Sequence, residues 1–127
     1  MKKEKITIAG KEVTLAYCYA TEIAYKEFTG EDIATYMKEA FVALNEQPKR
    51  MPDVKKTIYF ILAAAMAYSN SKDEDASIKD TDMMNDATPQ ELGTALGTVL
   101  SLYTQFYTLP AGEKSDESEG QEDGKKN

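Results

Sequence analysis

The stretch that decides the fold is residues 53–69, DVKKTIYFILAAAMAYS. On a helix, one stripe of this stretch consists of Ile58, Ile61, Leu62, Ala65 and Ser69, and most of the remaining positions are apolar as well. A helix that is apolar nearly all round is buried in a core. The apolar run, 57–68, is too short for a membrane span, which needs roughly 20 residues. We therefore expect it to be the central helix of a small soluble domain.

The composition predicts one acidic domain that binds proteins. The chain has 127 residues and a net charge of -7, with 15 Lys and Arg against 22 Asp and Glu. A chain of this length is most economically one domain, and it is long enough to bury a core without a metal or a disulfide. Binding to nucleic acid or to an anionic membrane needs an excess of Lys and Arg. We expect no nucleic acid and no membrane among the partners.

The residues needed for common catalytic sites are missing. There is no His, which removes the usual general base and the commonest metal ligand. Residues 73–84 begin like a calcium loop, but Ile78 stands where that loop needs Gly and Met84 where it needs Glu. We therefore expect no enzyme activity, no cofactor and no metal.

A cytoplasmic location is expected. Cys18 is the single cysteine, so no intrachain disulfide can form, which suits a reducing compartment. The first ten residues, MKKEKITIAG, alternate in character, whereas a signal peptide needs an apolar core of about 7–15 residues.

Residues 4–17 are predicted to form a β-hairpin. Apolar residues alternate with polar ones on both sides of the turn at 9–12, where Gly10 can adopt a positive φ. A hairpin alone is marginally stable in water. It must therefore lie on the helices or pair with the edge of another chain.

Two amphipathic helices should follow. In the first, 19–29, the predicted buried face comprises Ala20, Ile23, Ala24 and Phe28. Glu22 and Lys26 pair outside, and Gly30 ends the helix. In the second, which opens at Glu31 and Asp32, the predicted stripe comprises Ile33, Met37, Ala40, Phe41 and Leu44. The loop 45–52 places Lys49 and Arg50 between two prolines. It is either a solvated connector or a partner contact.

The polar segment 70–86 is expected to be mobile, with a short helical turn docked by Ile78, Met83 and Met84. Thr88, Pro89 and Glu91 then mark a helix start. The helix from Pro89 to about Thr108 has a heptad-like seam of Leu92, Leu96, Val99, Tyr103 and Phe106. Beside the seam, a ridge of small residues comprises Gly93, Gly97 and Ser101. We expect this ridge to pack within the domain, with an intermolecular seam as the alternative.

Aromatic residues have two predicted roles. The core-edge aromatics are Tyr17, Tyr25, Tyr36, Tyr59 and Tyr103, and an exposed apolar patch should lie at Tyr107 and Leu109. The candidate partner-binding residues are therefore Gly93, Gly97, Tyr103, Phe106, Tyr107 and Leu109.

The fold class predicted from these elements is mainly α (α+β): an N-terminal β-hairpin packed on about four helices. Residues 1–110 should form a single globular domain. Residues 111–127 have the composition of a disordered acidic tail or linker, because they contain no large apolar residue and most of their charges are acidic.

A family resemblance adds to this picture. The segment from Leu15 to Gly30, LAYCYATEIAYKEFTG, has Glu22 and Gly30 as fixed points. An amphipathic helix, an alanine-rich buried helix and a last helix leading to an acidic tail follow it. This order of elements over residues 4–109 resembles the tail assembly chaperones of long-tailed bacteriophages and prophages.

The resemblance implies a non-enzymatic function. Such proteins bind the aggregation-prone tape-measure protein while the tail tube assembles around it, and they are absent from the mature virion. Many are made in two lengths by a programmed frameshift. The end of this chain, GKKN at 124–127, is compatible with a slippery run of adenines. The implied partners are the tape-measure protein and possibly the tail tube protein. Self-association is expected because a chaperone must wrap a long client.

Two alternatives remain open on the residues alone. One is a small protein-binding adaptor with an acidic tail. The other is a regulatory, antitoxin-like protein that neutralises a basic partner by charge.

Overall fold

The computed structural model describes residues 1–108, and the predictions made for Leu109 and for the tail at 111–127 lie outside this part of the chain. The elements, in chain order, are β1 (Lys3–Ile8), β2 (Lys11–Ala16), α1 (Tyr19–Thr29), α2 (Ile33–Leu44), α3 (Val54–Ser71), α4 (Asp80–Asp86) and α5 (Pro89–Thr108). An N-terminal hairpin followed by helices confirms the predicted fold class, with α4 as the short helical turn expected between the longer helices.

The hairpin is tighter than predicted and lies on the helices. Its antiparallel register runs from Ile8 opposite Lys11 to Lys3 opposite Ala16, so the turn is the pair Ala9 and Gly10 alone. Both turn residues have a positive φ, 54° and 75°, which is the geometry that a two-residue hairpin turn requires. The buried side chains of the hairpin pack towards α3 and α5. The hairpin therefore gains its stability from the helices of its own chain.

Helix α3 is the centre of the core, as the sequence predicts. Ten of its eighteen residues are buried. The Phe60 ring is fully buried and has three tyrosine rings around it, with centroid distances of 6.4 Å to Tyr17, 6.2 Å to Tyr25 and 5.0 Å to Tyr36. These tyrosines come from the β2–α1 link, α1 and α2. Phe60 therefore joins three elements to the central helix.

The predicted buried face of α1 is wrong. Ala20 and Ile23 are exposed and Ala24 and Phe28 are only partly buried, while the buried residues are Thr21 and Tyr25. A tyrosine can bury its ring when its hydroxyl finds a partner at the surface. The Tyr25 hydroxyl donates a hydrogen bond of 2.8 Å to Glu31. This large aromatic ring therefore turns the helix away from the face that apolar periodicity favours.

The outer face of α1 also pairs differently from the prediction. Glu22 and Lys26 do not form the expected ion pair, because Lys26 bonds to Asp32 at 2.8 Å. Gly30 ends the helix as predicted, in the left-handed conformation with φ 76°.

Helix α2, like α1, buries a tyrosine in place of residues that apolar periodicity predicts to be in the core. Its buried residues are Tyr36, Met37, Ala40 and Ala43, whereas the predicted core residue Phe41 is 42% exposed and Ile33 and Leu44 are partly buried. The hydroxyls of Tyr36 and Thr57 lie 2.7 Å apart, and Thr57 donates to the carbonyl of Asp53. A buried polar pair of this kind joins α2 to the start of α3.

The start of α5 confirms the predicted cap and connects it to the hairpin. The amide of Glu91 donates to Thr88 Oγ1 and the amide of Thr88 donates to Glu91 Oε1, each at 3.1 Å. The same carboxylate oxygen accepts a bond of 3.3 Å from the amide of Ala9 in the hairpin turn. Just before this cap, Ile78 and Met83 of the α4 region are buried as predicted, but Met84 is 46% exposed.

Candidate functional site

The structure separates the predicted partner-binding residues into two surfaces on α5. Tyr103, Phe106 and Tyr107 lie at the C-terminal end of the helix, beside the start of α1. Gly93 and Gly97 lie in its first half, next to the loop between α2 and α3.

The first surface is an aromatic cluster built around Tyr17. The Tyr17 ring is 3% exposed, and its centroid lies 5.3 Å from that of Tyr103 and 5.7 Å from that of Phe106. Phe106 in turn lies 5.1 Å from the ring of Tyr19 and 4.9 Å from that of Tyr107. The buried ring therefore supports a second layer of aromatic side chains that reach the surface.

The exposed part of this cluster, Tyr19, Ile23, Phe106 and Tyr107, is termed the aromatic patch. Tyr19 is 65% exposed, Ile23 61% and Tyr107 50%, while Phe106 is partly buried between them. Tyr19 and Ile23 are four residues apart in α1 and therefore share a face. Contiguous exposed apolar side chains are typical of protein interaction sites.

One carboxylate connects the two helices beneath the patch. The Tyr17 hydroxyl donates a bond of 2.7 Å to Glu22 Oε2, and the Tyr107 hydroxyl donates to the same oxygen. Burial, together with the bond to Glu22, raises the pKa of Tyr17. The bond to Glu22 is the largest cause of the raised pKa of Tyr107. Both phenols therefore stay neutral donors, and they hold the end of α5 against α1.

Two members of the patch were missed by the sequence prediction. Apolar periodicity predicts Ile23 to be in the core, and Tyr19 enters the sequence analysis only as part of the segment that carries the family resemblance. The available signal was that α1 has apolar residues on two faces, one with Tyr25 and one with Tyr19 and Ile23. A short helix can bury one such face against a core, which leaves the other for a partner.

The second surface is a groove of about 390 Å³ between α5 and the loop that follows α2. Its lining residues are Leu44, Lys49, Arg50, Met51, Gly93, Leu96 and Gly97. Two features that are far apart in sequence, the basic proline-flanked loop and the small-residue ridge, therefore meet here. Arg50 also bonds to Glu46 at 2.8 Å.

The prediction that the small-residue ridge packs within the domain is wrong, because no part of residues 1–108 covers it. Apart from its chain neighbours and the adjacent backbone of its own helix, a Cβ atom added at Gly93 or at Gly97 would meet no atom of residues 1–108 within 4 Å. Ser101 is exposed as well. The physical reason is that the apolar seam of α5 already faces the core, which turns the ridge outwards.

Polar clusters elsewhere have structural roles. Lys56 Nζ lies 3.0 Å from Glu31 and 3.4 Å from Glu39, and these ion pairs connect the start of α3 to α2 and to the link before it. In residues 1–108, no group of three or more Cys, Asp and Glu side chains is placed to hold a metal ion.

Among the described helices, none has the length and apolar character needed to cross a membrane.

The functional interpretation rests on the sequence pattern and on these two surfaces. Comparisons with protein-family models, with curated proteins and with solved structures each found no match to this chain.

Proposed function

We propose that this protein is a non-enzymatic tail assembly chaperone of a long-tailed bacteriophage or prophage. It binds and solubilises the tape-measure protein in the host cytoplasm and is not part of the mature virion. The observation that carries this proposal is the aromatic patch at the junction of α1 and α5. The resemblance of residues 4–109 to such chaperones supplies the client.

The chemistry of the patch supports binding to an apolar protein segment. Tyrosine and other large aromatic side chains dominate the binding energy of protein interfaces. Phe106 and Tyr107 are held by ring contacts with Tyr17 and by the bond to Glu22, so binding orders few additional side chains. A surface that is ordered before binding loses less conformational entropy in the complex.

The charge of the chain supports a solubilising role. The net charge is -7, and the patch members are themselves uncharged. A protein that covers an apolar client segment with such a patch presents its acidic remainder to water. Net charge of one sign keeps complexes apart and in solution.

The test is co-expression with the tape-measure protein encoded by the same phage or prophage. The variant Tyr19→Ser/Tyr107→Ser removes the two most exposed rings of the patch, and Glu22 keeps its bond from Tyr17. We expect the soluble fraction of the client to fall at least about tenfold, since losing two aromatic anchors costs more than about 1.4 kcal/mol of binding free energy.

The matched control is Val42→Ser/Val54→Ser, which removes two apolar side chains that are 59% and 53% exposed and lie in α2 and at the start of α3, outside the two helices that form the patch. This control should solubilise the client as the parent protein does. Circular dichroism of both variants verifies that the fold is kept. A folded patch variant that still solubilises the client would contradict the proposal.

A further inference from the structure

One edge of the hairpin has unpaired backbone groups. The sheet has two strands among the described residues, and β1 pairs with β2 on one side only. In a hairpin with a two-residue turn, the residues that flank the turn, here Ile8 and Lys11, exchange backbone hydrogen bonds, and every second residue before Ile8 does the same. The amides and carbonyls of the residues in between, Lys3, Lys5 and Thr7, therefore point away from β2.

No other described element uses these outward-pointing groups. Apart from the pairing with β2, no hydrogen bond within residues 1–108 involves the amide or the carbonyl of Lys3, Lys5 or Thr7. All three residues are exposed. Helix α5 bonds to the hairpin at the turn, through the amide of Ala9. The edge of β1 is therefore accessible within this part of the chain, and such an edge is a template for a further strand.

The side chains along this edge are basic, although the protein is acidic. The first eleven residues contain four lysines and one glutamate, whereas the whole chain carries -7. Lys3 and Lys5 alternate along β1 and so lie on one face of the sheet. Lys5 has an acidic neighbour across the hairpin, Glu12, at 3.9 Å. The Lys3 and Lys72 ammonium groups lie 5.7 and 5.9 Å from the centre of the Tyr68 ring.

The positive charge at the start of β1 is not compensated by the described chain. Neither Lys3 nor Lys72 forms an ion pair with a carboxylate of residues 1–108. Both ammonium groups lie near one ring of α3, so their charges add in the same region of the surface. An incoming carboxylate would find no acidic side chain already bonded to these two lysines.

The lysines indicate which strand can pair with this edge. Side chains that lie opposite each other on neighbouring strands interact, and opposite charges stabilise the pair whereas like charges destabilise it. The β1 edge of a second copy would bring its own lysines beside Lys3 and Lys5, and lysine on an edge strand commonly prevents such pairing. An extended segment with Asp or Glu at every second position would instead place a carboxylate opposite each lysine.

We propose that the edge of β1 binds an extended acidic segment of a partner protein, which adds a third strand to the hairpin. Backbone hydrogen bonds to Lys3, Lys5 and Thr7 provide the pairing, and the lysine side chains select acidic residues. The site uses no residue of the aromatic patch, and the proposal does not depend on the identity of the client. A segment as long as the six residues of β1 buries less than a standard interface, so we expect a Kd of about 10 µM to 1 mM.

The first experiment is a fluorescence-anisotropy titration of the full chain with a labelled peptide, acetyl-Thr-Glu-Val-Glu-Val-Glu-Thr-amide. Two control peptides test the two parts of the proposal. One has lysine in place of each glutamate, which reverses the charge. The other has N-methylated glutamates, which keep the charge but cannot donate backbone hydrogen bonds. Both control peptides should bind at least about tenfold more weakly than the acidic peptide.

Protein variants separate charge from backbone pairing in the same way. Lys3→Gln/Lys5→Gln removes two opposite-charge pairs and should weaken binding at least about threefold. Thr7→Pro removes one outward-pointing amide that β1 does not use for β2, and it should also weaken binding at least about threefold. The matched control, Lys38→Gln/Lys55→Gln, makes the same charge change at exposed positions of α2 and α3 and should leave the Kd within about twofold of the parent.

Hydrogen exchange measured by NMR distinguishes strand pairing from attraction by charge alone. With the acidic peptide at about ten times its Kd, the amides of Lys5 and Thr7 should exchange at least about fivefold more slowly than in the free protein. The amide of Glu12, which lies opposite Thr7 and points to the other edge of the hairpin, is the control and should keep its exchange rate.

A full chain that shows no binding at about 3 mM acidic peptide overturns the proposal. Equal affinity for the N-methylated peptide, or unchanged exchange at Lys5 and Thr7, would show that no strand is added and overturns it as well. So does a chain that forms dimers through β1 in place of binding the peptide. Should Thr7→Pro impair folding, the lysine variants and the exchange rates of the parent protein decide the question.

Discussion

Helices α3 and α5 are the two longest in the protein, and both are rich in small and apolar residues, yet they have opposite surroundings. In α3 ten of eighteen residues are buried, including a run of alanines from Ala63 to Ala65. In α5 six of twenty are buried, and Gly93 and Gly97 face open space. Small residues in α3 allow neighbouring elements of the same chain to approach, whereas small residues in α5 leave a face uncovered. The same residue sizes therefore belong to a core in one helix and to an uncovered face in the other.

The aromatic residues of the two helices differ in the same way. Phe60 of α3 is fully buried among Tyr17, Tyr25 and Tyr36. Tyr107 of α5 is half exposed, although it also contacts the Tyr17 ring. A ring surrounded on all sides contributes to folding, and a ring with one open side remains available for binding.

The largest effect should come from Phe60→Ala. Removing a fully buried aromatic side chain leaves a cavity and typically costs about 3–5 kcal/mol, a large share of the stability of a small domain. Urea denaturation followed by circular dichroism measures the loss. Tyr107→Ala is the matched variant on α5 and should cost under about 1.5 kcal/mol, because half of its ring is already in water. Equal costs would break the contrast between the two helices.

A second prediction concerns alkaline pH and the tyrosines around Phe60. Burial raises the pKa of Tyr17, Tyr25 and Tyr36 above the ordinary value of 10.0. Above about pH 10 the unfolded chain ionises these phenols while the folded chain keeps them protonated. The unfolded state then binds fewer protons, so stability is fully present below pH 10 and falls as the pH rises. Each tyrosine contributes about 1.4 kcal/mol per pH unit to this fall.

Urea denaturation at a series of pH values measures how steeply the free energy of unfolding falls with pH. Tyr25→Phe should make this fall less steep by about 1.4 kcal/mol per pH unit, which is the contribution of one proton. The variant keeps the ring contact with Phe60 and removes only the ionisable hydroxyl. A slope that is the same in the parent and the variant would mean that the Tyr25 phenol ionises equally in both states.

The smallest effects on stability should come from exchanging glycine and alanine, which we expect to act in opposite directions in the two helices. Gly93→Ala should raise the free energy of unfolding by up to about 1 kcal/mol, since alanine is the better helix former and its Cβ meets no described atom within 4 Å beyond the adjacent backbone of its own helix. Ala64→Gly in α3 should lower it by more than about 1 kcal/mol, because a fully buried methyl group is lost in addition. Thermal denaturation measures both changes.

If Gly93→Ala destabilises the dilute protein, the outer face of α5 is covered within the monomer. That outcome would remove the difference between the helices.

Several elements follow from local patterns in the sequence. The continuous apolar run of α3, the alternation in the hairpin, Gly30 after α1 and the Thr88–Glu91 cap of α5 each depend on residues close together in the chain. Their physical causes are helix period, strand period, positive φ and a side-chain cap, which all act over a few residues. These predictions are confirmed for that reason.

The faces of α1 and α2 show where local patterns are insufficient. Apolar periodicity selected Ile23 and Phe41 for the core, but Tyr25 and Tyr36 are buried instead. Each tyrosine needs a partner for its hydroxyl, Glu31 in one case and Thr57 in the other. Thr57 is twenty-one residues from Tyr36, so its proximity is a property of the packed helices.

The candidate site could be predicted only in part, again because local patterns do not show which elements become neighbours. Periodicity identifies Phe106 and Tyr107 at the end of a long helix, and their exposure follows from their position beyond the core seam. Tyr19 and Ile23 join them because the start of α1 meets the end of α5 through the Tyr19–Phe106 and Glu22–Tyr107 contacts, which no short-range pattern encodes. The groove is likewise created when the loop with Lys49 is placed next to Gly93.

The sequence by itself determined which segments become strands and helices, that α3 is the buried centre, and that the chain is acidic and lacks histidine chemistry. These properties depend on composition and on patterns within single elements. Only the tertiary structure decided which face of α1 and α2 is covered and that the small-residue ridge of α5 is left open, because a helix face is buried or exposed according to the shape and hydrogen-bonding groups of its neighbours. The aromatic patch and the uncovered ridge of α5 are both consequences of that choice.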